Sequence, residues 1–246
     1  MTDVTLTVRE IALEQPHSIR VFERFGIDYC CGGRKPLAEA CAERQVAVVE
    51  VLAALEAAAG SNALLPVDWS QAKLGALIDH IVATHHAYVK SELPRLAVLA
   101  QKVVNRHGDT QAHLPAMQSL LVLLDDELIH HLGKEEHVLF PYIGKLEGAR
   151  IAGGAHPEAC FGTIESPIAM MMSEHDAAGA MVAELRRLSG DYATPVGACP
   201  TYLAYYDGLK EFEQDLHQHI HLENNILFPR AIAMEKAGVG DRCVSA

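Results

Sequence analysis

Apolar residues recur along the chain at alternating spacings of four and three. Met117, Leu121, Leu124, Leu128, His131, Glu135, Val138 and Tyr142 form one row. Tyr205, Leu209, Phe212, Leu216, His219, Glu223, Ile226 and Arg230 form a second, each 88 residues further on. Val82, His86, Val89, Leu93 and Leu96 make a third row, and Met171, His175, Ala178, Val182 and Leu185 repeat it at an offset of 89. Such spacing places each row on one face of a helix, where it forms the buried stripe of a bundle. Four long helices are therefore predicted: from Ser70 to about Asn105, from near Pro115, from near Ser166-Pro167 read as N-cap and first helical position, and from near Pro200, fading before Gly238. Pro94 should kink the first. The fold class is all-α: a duplicated helical hairpin that stacks antiparallel into an up-down four-helix bundle.

The first 60 residues stand apart. Thr7-Val-Arg-Glu10 fits a capping box opening a short helix, and Pro16-His17-Ser18 opens another that runs to Phe25. Gly26-Ile-Asp-Tyr-Cys30-Cys31-Gly32-Gly33 comes next, then short helical patterns around 37–44 and 46–59. The division expected is a small helical N-terminal domain over 1–62 and a bundle over 63–246; Gly60-Ser-Asn breaks the last short helix, and Leu65-Pro-Val-Asp-Trp69 is the linker. So small a core should dock on the rest of the chain or on a second subunit.

The helical rows carry unexpected chemistry. Two stretches, HLGKEEHVLFP over 131–141 and HIHLENNILFP over 219–229, share His, three residues, Glu, three residues, Leu-Phe-Pro. Residues four apart lie one above the other on a helix, so each stretch presents an imidazole beside a carboxylate where leucine would be expected. A buried carboxylate is costly unless a partner offsets it, and a cation at the bundle centre would serve both helices. One histidine on an apolar face is more often a hydrogen-bonded core residue than a ligand. Six ligand-type residues on four rows, related by a repeat, point instead to a metal site: His86, His131, Glu135, His175, His219 and Glu223.

One ion cannot comfortably use six such groups. If both glutamates bridge, two ions each receive two imidazoles and two carboxylate oxygens, and positions remain for an oxo or hydroxo bridge and an exogenous ligand. Mixed nitrogen and oxygen ligands without thiolate favour iron, or manganese, over structural zinc. The ferritin-like alternative needs Glu-x-x-His on two helices, and Glu127-Leu-Ile-His130 is the only such spacing on the four long helices. Glu127, one turn before His131, and Glu174, beside His175, are candidates to orient a ligand or relay a proton, with a solvated carboxylate as the alternative. His80, His85, His130, His217 and His221 flank the ligands as solvated or ligand-orienting residues. Cys30 and Cys31, on a glycine-rich turn taken as flexible and exposed, suit thiol exchange, transient metal capture or electron delivery, or else fill a small core.

Composition narrows the setting. Half of the 246 residues are hydrophobic, and the net charge of −12 argues against a nucleic-acid or anionic-membrane partner. No signal-peptide pattern and no run of about 20 apolar residues is present, and six thinly spread cysteines do not read as a disulfide scaffold. A cytoplasmic protein with reduced thiols is expected. Cys41, Cys160, Cys199 and Cys243 have no ligand spacing, and the Gly/Ala-rich connection over 148–165, with His156 and Cys160, is given no role.

The DYCCGG segment, the six ligand candidates and the LENNILFPRA ending together resemble the bacterial repair-of-iron-centres family. That resemblance covers nearly the whole chain, although the connection over 152–162 looks expanded. It implies a hemerythrin-like bundle with two iron ions on the same six residues, a homodimer, and repair of iron–sulfur proteins damaged by nitrosative or oxidative stress. Three functional classes are open. The first supplies iron to damaged clusters while binding or reducing nitric oxide. The second is a dioxygen or nitric oxide carrier or sensor. The third is a nitric oxide reductase with Cys30 and Cys31 as the electron entry.

Overall fold

The computed structural model describes residues 3–30, 32–59, 68–155 and 157–240. Among these the chain is helical and forms no strand; an isolated antiparallel bridge joins Thr7 to Pro36. Two compact units are formed, one from residues 1–73 together with 217–229, the other from residues 74–216 together with 230–246.

In the first unit, α1 (Val8–Glu14) opens on the expected capping box. Thr7 Oγ1 accepts from the Glu10 N–H at 3.2 Å while the Glu10 carboxylate accepts from the Thr7 N–H at 2.8 Å. Helix α2 (Ser18–Phe25) stops at Gly26, whose φ of 65° only glycine adopts without strain. Helices α3 (Leu37–Glu43) and α4 (Val48–Ala59) complete the layer. Val8, Ile11, Phe22, Tyr29, Leu37, Cys41, Val51 and Leu55 form its core. Backbone bonds from Arg9 N to Gly33 O (2.7 Å) and from Leu37 N to Leu6 O (3.0 Å) fasten the intervening loop to the helices. The helical segment 217–229 packs in this unit too. Asn225 Nδ2 donates to the Tyr29 carbonyl at 3.2 Å, Gln218 Nε2 donates to Glu23 at 2.9 Å, and the Tyr29 ring stands edge-on to His221.

The second unit is the bundle. Its helices are α5 over 74–107, α6 over 113–152, α7 (Glu165–Leu188) and the 200–216 and 230–240 portions of α8, which is helical from Pro200 to Gly240. Successive helices pack side by side, α5 on α6 and α6 on α7. The first portion of α8 meets all three: Asp215 bonds His85 (2.9 Å), Tyr206 bonds His113 (2.9 Å), and Glu213 accepts from Arg186 (3.0 Å). Gly208 lets α5 come close, because a Cβ there would stand 2.8 Å from Leu96.

The helix starts differ from those predicted. Helix α5 begins at Leu74 rather than Ser70, and α6 at His113 rather than Pro115. Helix α7 begins at Glu165, so Ser166 and Pro167 lie inside its first turn, where a missing N–H costs nothing. Helix α8 continues through Gly238. Pro94 lies inside α5, with its ring exposed. Two carboxylates explain the new starts of α5 and α7. Glu147 accepts from the Leu74 and Gly75 N–H groups at 2.7 and 2.9 Å, and Glu235 accepts from the Ile164 N–H at 3.0 Å. Each hairpin thus caps its own first helix from the end of its second, and the two glutamates are separated by the same 88 residues as the ligand rows.

A second difference bears on the site. Three of the long helices widen by one residue into a π turn, at Val82–His86, Glu135–Leu139 and Leu222–Leu227. The extra residue rotates the later positions of the helix by about 100°. Val138, predicted to lie in the buried row, is therefore 46% exposed and Leu139 is buried in its place. In α5, Ile81 takes the buried position expected of Val82. Pro141 and Pro229 stand two residues beyond the ends of two of these turns. A proline ring collides with the carbonyl four residues back, and a widened turn relieves that collision.

Candidate metal centre

The π turns fall on ligand candidates: His86 ends the first, Glu135 begins the second, and Glu223 lies in the third. Single-turn π bulges in helices are frequent at functional sites, because they turn a side chain away from the regular stripe. Here they coincide with buried glutamate and histidine. His86, Glu135, His219 and Glu223 are wholly buried, and His131 and His175 nearly so.

Two groups of four residues offer ligand atoms that all lie within 4.8 Å of one another. One is His86, Glu135, His219 and Glu223; the other is His131, Glu135, His175 and Glu223. Both carboxylates belong to both groups, so each could serve two ions. Nε2 is the inward atom of the imidazoles. It lies 3.5 Å (His86) and 3.4 Å (His131) from Glu135 Oε2, 3.0 Å from Glu223 in His219, and 2.9 Å from its counterpart across the His131–His175 contact.

Two of the outward nitrogens are fixed as well. His86 Nδ1 is 2.8 Å from Glu136, and His131 Nδ1 is 2.8 Å from Glu174. A neutral imidazole that donates from Nδ1 keeps its lone pair on Nε2, and those lone pairs face the buried carboxylates. Removing a carboxylate from water costs several kcal/mol in effect, so a cation suits the interior of both groups. Four imidazoles with two carboxylates fit ions that take mixed nitrogen and oxygen ligands, and iron is among them.

Electrostatics extend this pattern outward. Burial alone would raise the Glu136 carboxyl, but the hydrogen bonds from Lys90 and His86 outweigh it and hold the group below the ordinary carboxylate value. Glu174 is lowered in the same way by Lys134 and His131. His221 is pushed down to about 4 by burial, with repulsion from Arg9 adding to it, and bonds Asn225 at 2.8 Å as a neutral ring.

The other candidates fall out unevenly. Glu174 contacts a ligand imidazole, whereas Glu127 lies exposed on the outer face of α6. His85 is buried against Asp215, and His130 is exposed and bonds its own helix backbone. Cys30 overturns the picture of a flexible, exposed turn. Its thiol is 4% exposed and donates to Asp28 Oδ1 at 3.2 Å, and the same carboxylate accepts from the Cys30 and Gly32 N–H groups. The glycines serve close packing, since a Cβ on Gly33 would stand 2.5 Å from the Tyr29 carbonyl oxygen. Cys31, His156 and Cys243 lie outside the described residues. Glu136 was missed by sequence reasoning because it sits one residue off the buried row. Its signal was there: Glu136 adjoins the ligand candidate Glu135 as Glu174 adjoins the ligand candidate His175.

Among the described residues no helix is long and apolar enough to cross a membrane. Residues 77–231 match the Hemerythrin HHE cation binding domain, and residues 5–59 match a domain of unknown function, DUF542. The chain is 38% identical over 226 residues to the iron-sulfur cluster repair protein YtfE of Escherichia coli O157:H7, covering 92% of this chain and 96% of that protein. It is 37% identical, over the same shares, to the YtfE of Shigella boydii serotype 4. With the HHE match spanning the bundle's ligand helices and this identity running nearly end to end, the chain belongs to the hemerythrin HHE family and, within it, to the group of YtfE iron-sulfur cluster repair proteins.

Proposed function

We propose that this protein repairs damaged iron–sulfur clusters by holding two iron ions and surrendering iron to the damaged protein. The observation that carries the reading is the pair of four-residue groups sharing Glu135 and Glu223. The relatives' function in iron–sulfur cluster repair supports it. His86 and His219 would serve one ion and His131 and His175 the other, with both carboxylates bridging. Bound there, iron would offer open positions to small ligands such as nitric oxide or dioxygen.

The chain's own residues favour release. No thiolate belongs to either group, and carboxylates and neutral imidazoles lose their hold when protonated. Reduction and mild acid should therefore loosen the cargo. Cys30, seated on Asp28, is the thiol proposed to take part with Cys31 in electron entry or iron transfer. Homodimerisation, a cytoplasmic setting, a role under nitrosative or oxidative stress and iron–sulfur clients complete the proposal.

The test is reactivation of a nitric-oxide-damaged, iron–sulfur-dependent dehydratase by the protein loaded with labelled iron. Recovery with the label in the dehydratase is expected. Recovery with all label retained in the bundle would overturn donation in favour of nitric oxide reduction. No recovery would leave a carrier or sensor.

A further inference from the structure

Two surface lysines lean on the carboxylates behind two of the ligand imidazoles, in the same arrangement twice. On α5, His86 Nδ1 meets Glu136 at 2.8 Å, and Lys90 Nζ meets both oxygens of Glu136 at 2.6 and 2.8 Å. On α6, His131 Nδ1 meets Glu174 Oε2 at 2.8 Å while Lys134 Nζ holds the other oxygen. In both cases histidine and lysine come from one helix, about one turn apart, and the carboxylate comes from the next helix in the chain. In both cases burial falls outward: the imidazole side chains are 0 and 3% exposed, the carboxylates 20 and 26%, the lysines 45 and 43%. His86 belongs to one four-residue group and His131 to the other, so each group has one such relay.

We propose that Glu136 and Glu174 are positioning residues that set how firmly His86 and His131 hold their ions, and that Lys90 and Lys134 weaken that hold. The proposal rests on the two-ion reading above. A carboxylate accepting the Nδ1 proton fixes the ring's tautomer and orientation and makes Nε2 a stronger donor. An ammonium on the same carboxylate draws charge away from the imidazole and adds a positive charge near the cations. The two members of each relay therefore act in opposite directions on metal retention. Packing alone would make them act in the same direction, because removing either would loosen the wall of the site. For a protein that must both keep iron and give it up, such a counterweight holds retention at an intermediate strength.

The test uses the full chain loaded with cobalt(II), whose ligand-field absorption reports the ligands, and reads transfer of the ion to a chelator. Glu136→Gln and Glu174→Gln should release it roughly 10- to 100-fold faster with a shifted spectrum. Lys90→Met and Lys134→Met should release it more slowly than the parent. Glu136→Gln with Lys90→Met should match Glu136→Gln alone, since the lysine acts through the carboxylate. Glutamine variants that release at the parent rate would overturn the proposal, as would methionine variants that release as fast as the glutamine ones. Parallel loading with ferrous iron separates the two readings: a parent chain that takes cobalt but no iron would overturn the di-iron reading, while the cobalt rates would still decide the relay.

Discussion

Replacing Glu135 by leucine should shift stability in opposite directions with and without metal. The side chain is wholly buried on α6, its Oε2 3.5 and 3.4 Å from two imidazole nitrogens. It occupies a row in which Leu124 and Leu128 precede it and Leu139 comes after. Leucine would restore that apolar row and remove a desolvated carboxylate. Holding a carboxylate away from water costs several kcal/mol in effect, and with neutral imidazoles as its neighbours its removal should recover about 2 kcal/mol of that cost. A gain of about 2 kcal/mol in a domain of this size raises the melting temperature by roughly 4–8 °C. Metal reverses the order. An ion at a thousand times its dissociation constant stabilises the parent by about 4 kcal/mol, and the variant loses a carboxylate common to both groups. The assay is thermal or urea unfolding of both proteins, stripped by chelator and then loaded under anaerobic conditions. A stripped variant less stable than the stripped parent would refute the reasoning, because Glu135 would then be compensated by the protein alone.

The same geometry sets other outcomes. Cys30→Ser should keep the full iron content by metal analysis, since Cys30 is in neither group, but should lose reactivation of the damaged dehydratase. Glu235→Ala removes the acceptor for the Ile164 N–H and the Tyr142 hydroxyl and should cost about 1–3 kcal/mol in urea unfolding. Gly33→Ala forces a Cβ against the Tyr29 carbonyl and should destabilise the first unit by about 1–3 kcal/mol, seen as faster amide exchange in α1 and α3. His131→Ala should release most of the iron, whereas Glu127→Ala, altering an exposed carboxylate, should leave iron content unchanged.

The helical rows and the ligand candidates were legible because a bundle helix repeats its buried positions, and a histidine or glutamate on such a position stands out against leucine. What periodicity could not show was its own interruption: a π turn leaves no gap in the sequence, so Val82 and Val138 read as buried while Ile81 and Leu139 took their places. Glu136 stayed hidden for a related reason. It lies beside the row, and its partner His86 is 50 residues away on another helix. The caps from Glu147 and Glu235 act across 71 to 73 residues, beyond any local signature of a helix start. At Cys30 the flanking glycines serve close packing, because a carboxylate and a carbonyl occupy the space their side chains would need, and the burial of Cys30 agrees with the core-filling alternative.

The grouping of residues 217–229 with the N-terminal unit has a consequence for local opening. Proteins open in cooperative blocks, and amides that share packing partners exchange together. Asn225 and Gln218 tie this segment to Tyr29 and Glu23, the neighbours of the cysteine turn. His219 and Glu223 stand on the same turns of helix. An event that loosens the turn, such as oxidation of its thiols, should therefore register as a change in exchange protection around those two ligands. Cys30 need not touch the candidate metal centre to bear on it; it need only share a foldon with two of the candidate ligands.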